Sequence, residues 1–303
     1  MAPKMVTSFR RSLSFPNPPS NNSSKPQKTL HVRSTSLPCR SHPIISQLRD
    51  EISALQSWSA AESSARTSAW LCDGLRRLKA VHESLDDLLH LPQTRESLRG
   101  GDYSNLIEKL LEDFLRFVDA YGMFQTLLLR LKEEHSAAQI AVRRKDSARV
   151  AAQAKNLSKI AKEIGKLGSS NLFSTATAVA PLRASYDEEA ELVDVIDGVV
   201  KATVAVSNAL FGGISNSAAF RKQSCMGLSL GRKTKYVKVE GGIREFQELD
   251  LENLRKKAEE EVKMASKKMH EIEDRILEIE ECGERAFRSL INTRVSLLNV
   301  LTQ

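Results

Sequence analysis

Apolar positions recur along this chain in alternating steps of three and four, the spacing that lines side chains along one face of an α-helix. The first run lies in "SHPIISQLRDEISALQSW", where Ile45, Leu48, Ile52 and Leu55 form one seam. Pro43 stands just ahead of it and suits a first helical position, where its missing N–H is not needed. A second helix is predicted over residues 62–90 from Leu71, Leu75, Leu78, His82, Leu85 and Leu89, with Pro92 as its stop or as a new helical start. After the loop "GGDYSNL", Leu110, Phe114, Phe117, Tyr121, Phe124, Leu128 and Leu131 hold the alternation. Leu111, Val118 and Leu127 widen that stripe, so this helix should pack against two or more neighbours.

Beyond "RRKDSAR" (143–149) the pattern continues through Ala154, Leu157, Ile160 or Ala161, and Ile164, and ends near Gly165–Gly168. Another helix is expected over residues 185–211, closed by Gly212 and Gly213. Residues 213–242 read as a long, Gly- and Lys-rich flexible connection, a length that marks a functional loop. The last seam runs from Ala258 through Val262, Ala265, Met269, Ile272, Ile276, Ile279, Gly283, Ala286, Leu290 and Leu297 to Leu301. It predicts a long, coiled-coil-like C-terminal helix from about residue 243 to 302, in which Gly283 costs about 1 kcal/mol and makes a kink as well supported as continuity. The fold class is therefore all-α: an elongated helical bundle over residues 41–303 as a single domain, preceded by a disordered Ser/Pro-rich tail over residues 1–40.

Composition sharpens two points. Aromatics are only 5% of the chain against 41% hydrophobic residues, so Leu, Ala, Ile and Val build the core, as helices prefer. The net charge of +7 is unevenly placed, because residues 1–49 hold eight Lys or Arg and no acid, which leaves −1 for the remainder. The basic balance thus belongs to the tail, and with only Phe9 and Phe15 there for bases to stack on, nucleic-acid binding is disfavoured. Cys39, Cys72, Cys225 and Cys282 form no CxxC pair, which points to a reducing compartment. "GVVKATVAVSNALFGGI" (198–214) is interrupted by Lys201 and reads as a buried core helix rather than a membrane span.

The sequence has no phosphate-cradling Gly-rich loop, HExxH, GxSxG or metal-spaced Cys/His set, so neither an enzyme nor a cofactor is expected. Asp86–Asp87 and Glu133–Glu134 are adjacent in sequence, so on a helix the members of each pair point apart. His82, on an apolar seam, reads as a core histidine. Arg143, Arg144, Lys145 and Arg149 cluster at a helix junction, either as a solvated helix end or as a contact for an anionic membrane surface. Arg232, Lys233, Lys235 and Lys238 would add to the same field.

The tail holds a repeat, "RSLSFP" (11–16) and "RSTSLP" (33–38). Arg11 and Arg33 stand three residues before Ser14 and Ser36, and Pro16 and Pro38 two residues after them, a pattern that resembles the phosphoserine motif read by 14-3-3 proteins. A 22-residue spacing spans roughly 25 Å as a flexible chain, within reach of both grooves of a 14-3-3 dimer. Two other readings stay open: chance recurrence of Arg, Ser and Pro, or a plastid transit peptide, which would replace the cytoplasmic location otherwise expected.

Three stretches resemble a plant-specific, BYPASS-like family of unknown function: "HVRSTSLPCRSHPIISQLRDEISAL" (31–55), "LCDGLRRLKAVHESLDDLLHLPQTRESL" (71–98) and "LLEDFLRFVDAYGMFQTLLLRLKEEHSAAQIAVRRK" (110–145). "FRSLINTRVSLLNVL" (287–301) is the most specific piece. The resemblance implies a helical protein tied to root and shoot development, with no accepted enzymatic activity or cofactor, and it assigns no catalytic residue. The sustained helical seams and the doubled tail motif point to action through protein partners. The main alternative is a peripheral membrane or trafficking adaptor.

Overall fold

The computed structural model describes residues 42–60, 66–100, 103–169, 187–217, 241–247 and 259–302, all within one compact unit, Cys39–Gln303. Among the described residues every regular element is a helix: α1 (Pro43–Ser59), α2 (Ser68–His90), α3 (Pro92–Arg99), α4 (Ser104–Arg143), α5 (Ser147–Ser169), α6 (Asp187–Ser215), α7 (Arg244–Gln247) and α8 (Glu259–Thr302). At 1.5 Å per residue α4 and α8 extend about 60 and 66 Å. The tail lies outside the described residues.

Local chemistry sets several helix ends. Pro43 opens α1, and the His42 imidazole accepts the Ile44 N–H at 3.3 Å. Thr67 caps α2 by accepting the Trp70 N–H at 3.1 Å, so that helix begins at Ser68 rather than near residue 62. Leu91 is extended because Pro92 disfavours helical backbone in the residue before it, and Pro92 then opens α3.

α6 runs through Gly212 and Gly213, where a stop was expected, and ends at Ser215. Gly213 serves packing instead: a Cβ there would lie 3.1 Å from the Ile243 side chain. The chain leaves the helix at Ser217, whose hydroxyl donates to the Gly213 carbonyl at 2.7 Å and accepts the Ile243 N–H at 3.1 Å. Residues 218–240, and with them Arg232, Lys233, Lys235 and Lys238, lie outside the described residues.

α8 is continuous through Gly283, where a Cβ would meet Phe124 and Gln125 at ordinary contact distances of 3.5 and 3.6 Å. It packs between α4 and α2. With α2 it runs parallel, pairing Cys72 with Cys282, His82 with Thr293 and Asp86 with Ser296. With α4 it runs antiparallel, setting Gly283 against Phe124 and Met269 against His135. Contacts of α4 with α5, α5 with α6, α6 with α1 and α2, and α1 with α2 close the bundle, and the short α3 touches α2, α4 and α8.

The predicted seams form its core. All seven seam residues of α4 are buried, and Phe211 of α6 reaches Tyr121 and Phe124 with ring centroids 5.8 and 5.4 Å apart. At the end of α8, burial falls on Val300 instead of the expected Leu301, which is 44% exposed, while the Arg99 guanidinium donates to the Val300 carbonyl at 3.1 Å. One segment, Ala190–Ser215, is apolar and long enough to cross a membrane by length and composition. In this fold its Val195, Val199, Val206, Leu210 and Ile214 belong to the core.

Candidate functional site

Two histidines and two cysteines, His82, His135, Cys72 and Cys282, lie inside the bundle. Thr203 donates its hydroxyl to the Val199 carbonyl at 2.8 Å and so accepts from His82 Nε2 at 3.0 Å. The Thr293 hydroxyl lies 3.3 Å from His82 Nδ1. Burial pushes the His82 pKa down to about 3, so the ring is neutral and joins α2, α6 and α8. This is a core histidine, as its place on the seam implied.

His135 donates from Nε2 to the Met269 carbonyl at 2.7 Å, and burial again lowers its pKa. Cys72 and Cys282 are free, buried thiols in hydrogen-bond contact, and burial with the neighbouring sulfur raises the Cys72 pKa. Low solvent access and a raised pKa make a poor nucleophile. Among the described residues no group of three or more His, Cys, Asp and Glu could hold a metal ion.

What faces solvent is charge, and the α4–α5 corner concentrates it. Asp146 N–H reaches back to the Ala141 carbonyl and Lys145 N–H to the Val142 carbonyl, both at 3.0 Å, the paired bonds of a Schellman motif. Lys145 sits at its left-handed position with φ 54° and is the one non-glycine residue with positive φ among those described. Asp146 then caps α5 by accepting the Arg149 N–H at 3.0 Å, and its carboxylate also pairs with the Arg149 side chain at 3.3 Å. The four expected cations are therefore not equivalent. Arg143, Arg144 and Lys145 are exposed and make no ion pair among the described residues, whereas Arg149 is held by Asp146.

The corner leads into a feature that apolar periodicity passes over. Lys155, Lys159, Lys162 and Lys166 follow at steps of four, three and four along α5, and all four are exposed. At 100° per residue they fall within an arc of about 60°, opposite the buried Leu157, Ile160, Ala161, Ile164 and Leu167. None makes an ion pair among the described residues. The single acid of α5, Glu163, turns to Arg130 of α4 at 3.1 Å. The same helical period that the leucines keep is legible in the spacing of these lysines. Ser14, Ser36, Arg11, Arg33, Pro16 and Pro38 lie outside the described residues.

Comparison with curated proteins and with solved structures finds no match. A family model described as protein BPS1 matches residues 74–300, from within α2 to the last turns of α8, in agreement with the BYPASS-like resemblance of the motifs. The chain belongs to the BPS1 family.

Proposed function

We propose that this protein is a non-enzymatic plant regulator of root and shoot development that works in the cytoplasm through protein contacts on its helical surface. The family match over residues 74–300 carries the developmental part of this reading. The contact part is supported by large apolar side chains exposed on the two longest helices: Leu115, Leu129 and Ile140 on α4, and Leu277, Ile291 and Val295 on α8. Leu277, Ile291 and Val295 share one face of α8, the arrangement by which a helix offers anchors to a partner. Phosphorylation of Ser14 and Ser36 adds a second mode, docking the tail on 14-3-3 proteins with Arg11, Arg33, Pro16 and Pro38 completing the two motifs. Free thiols at Cys72 and Cys282 suit a reducing compartment.

The test is affinity purification from growing plant tissue of the native chain and of a Ser14→Ala, Ser36→Ala variant, read by mass spectrometry. The expected result is phosphorylation at both serines and recovery of 14-3-3 proteins that the variant loses. Mature protein beginning downstream of Ser36 would reassign the tail to targeting and the compartment with it. Normal roots and shoots in plants lacking the protein and its relatives would overturn the developmental role.

A further inference from the structure

The exposed lysine face of α5 is left unused by the proposed contacts, and we infer that it is a docking surface for an anionic lipid bilayer. Lys155, Lys159, Lys162 and Lys166 stand on the crest of α5, directly opposite its buried side, along about 17 Å of helix. A ridge of this shape brings all four ammonium groups to a flat surface together. The same face continues toward the corner as exposed Ala148, Ala151 and Ala152, which let a plane approach the backbone closely. At the corner Arg143, Arg144 and Lys145 add three exposed cations without ion pairs among the described residues. Two acids next to this face are engaged sideways: Glu163 with Arg130 at 3.1 Å and Glu134 with the Asn156 amide at 3.1 Å.

Residue chemistry separates a bilayer from other polyanions. The crest holds lysine alone, a mobile point charge, where tight recognition of single phosphates would favour the planar fork of arginine. No aromatic side chain interrupts the α5 sequence, so nothing there can stack on a base. Lys145 adds a further sign of use: a cation occupies the left-handed position where glycine would fit without strain. A diffuse negative field is the partner such a face complements, and each cation near a bilayer strengthens binding by about fivefold at physiological salt.

The experiment is co-sedimentation of the full chain with phosphatidylcholine vesicles and with the same vesicles containing phosphatidylserine. The native chain is compared with a Lys155→Gln, Lys159→Gln, Lys162→Gln, Lys166→Gln variant and with the corresponding four-arginine variant. Glutamine matches lysine in helix propensity, and equal circular dichroism and melting temperature show that the fold is kept. The tail is present in every protein, so its charge cancels in the comparison.

The expected result is binding to the phosphatidylserine vesicles that weakens with added salt, falls on the order of several hundred-fold in the glutamine variant, and survives in the arginine variant. Equal binding of the native and glutamine chains would overturn the proposal. So would native binding no stronger to phosphatidylserine than to phosphatidylcholine. Tighter binding to long duplex DNA than to the vesicles at the same salt would assign the face to nucleic acid instead.

Discussion

Lys145 illustrates how a single residue ends one helix and starts the next. A non-glycine residue at φ 54° crowds its Cβ against the following carbonyl, a conformation that costs about 1–2 kcal/mol. The corner accepts it because two backbone bonds at 3.0 Å and the Asp146 cap hold the chain on both sides. Lys145→Gly should therefore stabilise the fold by about 1 kcal/mol, seen as a higher urea midpoint with an unchanged slope. If the lysine face and the corner act together on lipid, the same substitution weakens vesicle binding while strengthening the fold. Stability and binding would then move in opposite directions, which simple loss of structure cannot produce.

Between helices, the joint of α1 with α2 rests on a stacked pair of tryptophans. The Trp58 ring stacks on Trp70 with centroids 4.2 Å apart and planes 13° from parallel, and its Nε1 donates to the Trp70 carbonyl at 3.0 Å. Gly74 makes room for it, since a Cβ there would fall 2.1 Å from Trp58 Cζ2. Gly74→Ala must push the indole off its stack and should cost about 1–3 kcal/mol, with loss of the near-ultraviolet circular dichroism of the Trp pair.

This element scale was the most legible from sequence, because burial imposes the three–four period: the α4 seam from Leu110 to Leu131 and the α8 seam from Ala265 to Leu297 are buried as the spacing implied. The misses share a cause. The start of α2 is decided by the Thr67 side chain, and Gly213 of α6 answers to Ile243, which is distant in sequence. The corner cations were legible as a cluster, but the tie of Arg149 to Asp146 exists only once the cap has formed. The α5 lysines were missed because the period was counted on apolar residues alone.

Across the whole molecule, two buried histidines join helices that are far apart in the chain: His82 links α2 to α6 and α8, and His135 links α4 to α8. Both are held neutral in the fold, His82 with a pKa near 3 against an ordinary value of 6.5. Below pH 6.5 the unfolded chain therefore takes up a proton that the folded chain refuses at His82. The stability from this site is complete above pH 6.5 and declines by about 1.4 kcal/mol per unit as pH falls toward 3. His135 acts in the same direction. Urea midpoints measured down this range should fall more steeply for the native chain than for His82→Gln, by the slope of one proton.

The place of α8 between α2 and α4 has a consequence for biosynthesis. It is made after every other described helix, and both of the faces it covers are apolar. At 5–20 residues per second its 44 residues take roughly 2 to 9 seconds to emerge, an interval in which α2 and α4 have only part of their core. The nascent chain must hold those faces open or lend them to a chaperone until α8 arrives, so the core of this bundle is completed only once α8 has been made.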